Sequence, residues 1–185
     1  MKDWFNTSTQ YIDGLWVVNI QMLSGNKRNL IEFMHTHRDR LVDVITWDKG
    51  FAAPAMAAAC MSSRFEWLLI YSNNSPANRI IPMASWRGTV QNLYDAPRQQ
   101  KNEFAGVHLA TMPVHLPTWI MQTVCDEAKT VYEPFTGTGT TMLAAEQLGR
   151  PCYGMEISPA YCDIAVERWE NLTGKKAERH EAVRN

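Results

Sequence analysis

The chain has 185 residues, 45% of them hydrophobic and 20% charged, with a formal net charge of −1. That length suits one domain burying roughly 70% of its unfolded surface, and the composition excludes disordered and collagen-like chains. A strongly basic nucleic-acid binder is also excluded, so any affinity for a polyanion has to come from a local patch.

No apolar run approaches the ~20 residues of a membrane span. The opening Met1-Lys2-Asp3-Trp4-Phe5-Asn6 lacks the charged-then-apolar order of a signal peptide, so a cytoplasmic protein is expected. Cys60, Cys125, Cys152 and Cys162 stand without Cys-x-x-Cys spacing. That argues against zinc and for reduced thiols packed in the core.

Glycine and proline punctuation divides the chain into three parts of one domain. In 1–72, Leu15 to Ile20 reads as a strand and Asn26 to Arg38 as a helix, with Leu30, Ile31, Phe33 and Met34 as its apolar face. Leu41 to Trp47 and Phe65 to Tyr71 read as two more strands between turn residues. The stretch 73–107 loses periodicity. There Arg79, Arg87, Arg98 and Lys101 outnumber Asp95 and Glu103, with Trp86, Tyr94 and Phe104 interleaved. Such a mixture suits phosphate contacts and base stacking, and it equally suits an ordinary solvated loop.

The part 108–185 opens with a helix around Leu116 to Val124, which Pro117 can initiate. Strand, glycine turn, helix, strand and helix then follow, the pattern of a parallel βαβα unit. The run Thr130 to Thr141 places a strand directly before Gly137-Thr138-Gly139, and Met142 to Leu148 forms a helix that Gly149 can end. A glycine turn between strand and helix lets a ligand approach the backbone. A dinucleotide fingerprint needs a third glycine where Met142 stands, and a phosphate loop needs a lysine that is missing between Lys129 and Lys175. The turn therefore suits an uncharged or zwitterionic adenosine ligand. Cys152 to Ile157 makes a second strand ending in an acid, and Glu156 follows Gly137 at close to the ~20-residue spacing that presents a carboxylate to ribose hydroxyls. A solvated carboxylate at a strand end is the plainer reading. Ser158 and Pro159 read as N-cap and first residue of the last helix, with Tyr161, Ala165, Trp169 and Leu172 on one face.

Glu133-Pro134-Phe135-Thr136-Gly137-Thr138-Gly139-Thr140-Thr141 resembles the cofactor motif of the β-type, circularly permuted DNA amino-methyltransferases, with Glu133 in place of the more usual aspartate. Gly154-Met155-Glu156 and Ser158-Pro159-Ala160-Tyr161-Cys162 resemble the segments that follow it. Thr111-Met112-Pro113-Val114 resembles the family's Lys-Pro-Val segment, with Met112 replacing lysine. Trp47-Asp48-Lys49 and Glu66-Trp67-Leu68-Leu69 extend the resemblance through the N-terminal part. The resemblance implies an α/β, Rossmann-like class I methyltransferase sheet in permuted order. It implies S-adenosylmethionine held by Pro113, by residues 133–141 and by Glu156, and double-stranded DNA as partner. It assigns 73–107 to target recognition, and implies methyl transfer to a flipped base, adenine N6 before cytosine N4.

Family members carry an Asp/Asn/Ser-Pro-Pro-Tyr/Phe motif, and this sequence has no Pro-Pro pair. Those residues accept hydrogen bonds from an amino group that is otherwise a poor nucleophile. Asn73-Asn74-Ser75-Pro76 is the nearest string, but it follows the wrong strand and lacks the second proline and the aromatic residue. In the permuted order the motif and its strand fall upstream of Met1, which predicts a split sheet with unpaired edges. An upstream segment or a partner chain would then complete it. A truncated or degenerate, non-catalytic adenosine-binding fragment is the alternative. His35 and His37, two apart on a helix, face different directions and form no metal pair, and no nucleophile motif accompanies His108 or His115. No residue is assigned a catalytic role and no metal is expected.

Overall fold

The computed structural model describes residues 2–52, 55, 58–74, 79–96 and 112–180. By contacts the chain divides into two units: residues 1–98 with 123–127, and residues 99–122 with 128–185.

The first unit is built on a four-stranded sheet in the order β1-β3-β2-β4. Strands β1 (Leu15–Ile20), β2 (Leu41–Asp48) and β3 (Phe65–Ser72) lie where apolar runs between turn residues predict them. β3 pairs antiparallel with both β1 and β2. Its last five residues, Leu68 to Ser72, are all buried, because a central strand covered on both faces needs a continuous apolar run. α1 (Lys2–Tyr11) and α2 (Lys27–Thr36) flank β1 in the chain. They deliver Phe5, Leu30 and Phe33 to a buried cluster with Trp16, Leu69 and Tyr71. The Phe5 ring meets Phe33 at 5.2 Å and Tyr71 at 5.1 Å, both edge-on, the arrangement aromatic quadrupoles favour.

Several expectations change here. α1 was not foreseen, and Ile31 of the predicted apolar face is 58% exposed. The stretch 73–107 is not all loop: β4 (Leu93–Asp95) pairs parallel with β2, from Thr46 opposite Leu93 to Asp48 opposite Asp95. None of the four cysteines belongs to the fully buried core. Cys60 lies exposed between β2 and β3, Cys162 is exposed in the first turn of the last helix, and Cys125 and Cys152 are half-buried; all four are free thiols.

The second unit includes α3 (His115–Trp119), after which the chain continues as one π-helical stretch through Val124. β5 (Val131–Glu133) and β6 (Cys152–Gly154) pair parallel, connected by α4 (Thr140–Gln147), and α5 (Pro159–Thr173) follows. Ala144 and Ala145 of α4 pack with Met121, Val114, Val131, Leu148 and Cys152. α5 has no fully buried residue, and Leu172 of its predicted inner face is 43% exposed. Among the described residues β5 pairs with β6 alone, so the strands form two sheets instead of one. No helix among the described residues is long and apolar enough to cross a membrane.

Candidate functional site

The carboxyl ends of β5 and β6 carry the site. Parallel pairing sets Glu133 beside Gly154, and the ladder runs on as Met155 N–H donates to Glu133 O (2.9 Å) and Thr136 N–H to Met155 O (3.0 Å). β6 approaches so closely because Gly154 has no side chain: a Cβ there would collide with Thr136 Oγ1 and meet Met142 Sδ at 3.1 Å.

Two carboxylates shape the turn. Glu133 accepts from Phe135 N (3.0 Å) and from Thr141 Oγ1 (3.0 Å), tying the start of the turn to the first turn of α4. Glu156 accepts from Gly137 N (2.7 Å) through one oxygen and from Ser158 N (2.8 Å) through the other. Glu156 thus bridges the glycine turn and the start of α5, in place of a capping bond from the Ser158 side chain, which is not made. The anion sits where the unpaired amides of a helix start favour negative charge.

The two glycines of the turn do different work. Gly137 offers its amide to Glu156, whereas Gly139 faces away, toward α5. Its φ is +83°, and a Cβ there would stand 2.9 Å from Ala165 Cβ. From α5, Arg168 Nη1 donates to Thr138 O at 2.6 Å, with both threonine hydroxyls, Thr138 Oγ1 and Thr140 Oγ1, at 3.2 Å. Arg168 and the segment after α5 carry contacts that motif reading missed; only the folded chain brings them to the turn.

A cavity of about 430 Å³ opens beside Glu156, walled by Met142, Gly154, Ala165, Val166 and Trp169 and bounded by Lys176 to Glu178. That last segment folds back because Glu170 accepts from Lys176 Nζ (2.7 Å) and Ala177 N (2.9 Å). At the strand ends Phe135 is 62% and Ile157 98% exposed, large apolar side chains flanking the two acids. Burial, with the nearby Glu133 charge, pushes the Cys152 thiol up to about 11.

A family model described as N6_N4_Mtase, DNA methylase, matches residues 4–167. The chain belongs to this DNA methylase family. Similar proteins include the type II methyltransferase M.HindIII of Haemophilus influenzae, 39% identical over 67 residues, 36% of this chain and 22% of the relative. The type II methyltransferase M2.DpnII of Streptococcus pneumoniae is 25% identical over 138 residues, 71% of this chain and 52% of the relative. The chain thus spans about half the length, or less, of these curated relatives. Among solved structures, the M1.HpyAVI–SAM complex aligns with a TM-score of 0.64 at 18% identity, covering 91% of this chain and 81% of that one. The cytosine-N4-specific PvuII DNA methyltransferase aligns at 0.66 and 19%, covering 93% and 74%. At such identities these two show the shared α/β methyltransferase fold.

Within this family fold the other expected site residues are scattered. Pro113 is buried just before α3, and its carbonyl accepts from Leu116 N at 3.2 Å. Arg79 donates through Nη2 (2.6 Å) and Nε (3.1 Å) to Asp43 Oδ2. Arg87 is exposed beside Trp86, whose indole N–H donates to Thr123 O at 2.6 Å. Ser85 donates from N (2.9 Å) and from Oγ to the Asp126 carboxylate, and Trp47 Nε1 donates to Ala96 O at 2.8 Å. Asn73 and Asn74 give their side-chain amides to Thr9 O and Asp13. Arg98 and Lys101 lie outside the described residues.

Proposed function

We propose that this chain binds S-adenosylmethionine at the glycine turn and forms the cofactor-holding part of an enzyme that methylates an exocyclic amino group in duplex DNA. The observation that carries the reading is the Glu156 carboxylate seated on the Gly137 amide at the ends of two parallel strands. The residues fit such a ligand. Glu156 takes a backbone N–H on each oxygen, and a carboxylate has about four acceptor sites in all, which suits it to a ribose hydroxyl. Phe135 and Ile157 offer apolar surface for a purine, and the carboxylates suit the cationic groups of a zwitterion. When bound, the cofactor supplies a methyl group activated on a sulfonium sulfur. Membership of the DNA methylase family supports the transfer reaction over a non-catalytic derivative, and we assign adenine N6 as the target atom ahead of cytosine N4.

The chain's own residues bind and orient the donor. The groups that accept the amino N–H bonds we place on a segment outside these 185 residues, since no Pro-Pro motif occurs within them. The stretch 73–107, with Arg79, Arg87, Arg98 and Lys101, we assign to contacts with DNA. Calorimetric titration with S-adenosylmethionine tests the cofactor site: the wild-type chain binds, and Gly137→Asp, which sets a second acid against Glu156, abolishes binding. Transfer of labelled methyl groups to unmethylated duplex DNA tests the division of labour. Losing one preorganised hydrogen-bonding group costs about 10²–10³ in rate, so the 185-residue chain alone is expected to fall further than that. Robust turnover by it would place the amino-polarising groups within this sequence.

A further inference from the structure

Resting on the cofactor site proposed above, we infer that Arg168 is a positioning residue for the glycine turn: from α5 it holds the Thr138 carbonyl outward, and so keeps the Gly137 amide aimed at Glu156. The turn has two sides, each held by one charged group. On one side Glu156 takes the Gly137 N–H (2.7 Å); on the other Arg168 gives its Nη1 to Thr138 O (2.6 Å). The peptide between Thr138 and Gly139 lies between them, its N–H closing the turn on Thr136 O at 2.9 Å. Fixing that carbonyl fixes the plane of the Thr138–Gly139 peptide, whose N–H holds Thr136 O, the carbonyl of the same peptide unit that carries the Gly137 N–H.

Three features separate this arrangement from ordinary helix packing. Thr138 is 4% and Thr140 5% exposed, so acceptors that lost Arg168 could not turn to water and would stay unsatisfied. The neighbouring contact is made by the smallest side chain available, Ala165 against Gly139, which lets α5 approach near enough for the guanidinium to reach the main chain. A cation at the amino end of α4 is opposed by the helix dipole, which favours acids there. The arginine therefore gains nothing from α4 as a helix; what it gains at the turn is the carbonyl and the two hydroxyls. A guanidinium suits the task because its fixed fork keeps several N–H groups in one plane.

The test uses the whole chain with Arg168→Met, which keeps the stem, and Arg168→Lys, which keeps the charge. Arg168→Met is expected to bind S-adenosylmethionine about tenfold or more weakly. In the ligand-free protein it should exchange the Gly137 and Gly139 amides about tenfold or more faster, with the amides of β3 unchanged. Arg168→Lys should recover part of both effects. Arg168→Met with wild-type affinity and wild-type exchange overturns the inference, as does Arg168→Lys that behaves no better than Arg168→Met. Should Arg168→Met fail to fold, the wild-type guanidinium resonances decide: slow rotation and protected N–H groups support a held side chain, and free rotation refutes it. A wild-type chain that binds no S-adenosylmethionine defeats the cofactor reading instead, while amide exchange still reports on Arg168.

Discussion

The two units are held together by different physics. Around β3 the first unit buries Phe5, Phe33, Tyr71 and their neighbours almost completely, and its stability comes mainly from apolar area removed from water. The second unit has a small alanine-rich core and an α5 without one fully buried residue. What it has instead is a set of charged side chains bonded to main-chain groups: Glu133 on the Phe135 amide, Glu156 on the amides of Gly137 and Ser158, and Arg168 on the Thr138 carbonyl. A scaffold tolerates variation so long as volume is conserved, whereas a ligand turn needs particular peptide planes. The contrast shows a chain that concentrates burial in one place and directional bonds in the other.

The largest effect is expected from emptying the first core. Phe5→Ala removes a ring that touches Phe33 and Tyr71 from a fully buried position, and should cost about 3–5 kcal/mol. Denaturant unfolding followed by far-ultraviolet circular dichroism measures it, and a loss under 1 kcal/mol would mean that α1 is peripheral to the first unit. In the second unit the largest steric effect is expected at Gly139. An alanine there has to adopt a left-handed backbone at about 1–2 kcal/mol and overlap Ala165, where overpacking adds about 1–3 kcal/mol. Gly139→Ala should therefore loosen α5 from the turn. If exchange of the α5 amides is unchanged in that variant, the close seat of Ala165 on Gly139 is not the constraint.

What the sequence made legible follows the same division. β1, β2, β3 and α2 stand within a residue or two of where alternation and apolar spacing put them, since each is long enough for periodicity to register. The βαβα order and the Ser158-Pro159 helix start were legible because glycine and proline mark backbone requirements directly. β4 was not, being three residues long and paired in parallel with a distant strand, so neither period nor turn residues announce it. α1 escaped for a similar reason: its buried positions are Phe5 and the polar Thr9, while Tyr11 at its far end is 82% exposed, too little pattern for an amphipathic stripe. At the site, Glu156 could be named from spacing and Glu133 from the resemblance of its motif, but their bonds to the turn could not. Arg168 carried no sequence signal, because its partners lie 28 and 30 residues away and are reached only once α5 has packed.

A smaller effect is expected from Glu156→Gln, which keeps the side chain's shape and removes its charge. One amide oxygen cannot serve both Gly137 N and Ser158 N as the two carboxylate oxygens do, and a ligand hydroxyl loses a charged acceptor. Affinity for S-adenosylmethionine should fall about tenfold, or about 1.4 kcal/mol. Calorimetry on the folded variant reads this directly, and unchanged affinity would leave Glu156 with the turn alone.

The smallest effect is expected where the segment after α5 folds back, and its sign is fixed by which group is perturbed. Glu170 is held below the usual carboxylate range, first by its bond from Lys176, then by the Ala177 amide and by the Lys176 charge. A carboxylate depressed on folding adds stability that is present above its unfolded pKa and fades as pH falls through its folded value. Acidification should therefore release Lys176 and Ala177 from Glu170 and open that side of the cavity, while neutral and alkaline pH leave it closed. Because the pair is exposed and screened by salt, its loss should leave the melting temperature essentially unmoved. The effect should be visible only locally, by carboxyl-detected nuclear magnetic resonance titration of Glu170. In Lys176→Ala the Glu170 midpoint should rise toward its ordinary value while the Ala177 amide remains a weaker partner. A midpoint that does not respond to Lys176→Ala would mean that the segment is held along α5 by something other than this pair. The wall it gives the cavity would then persist in acid.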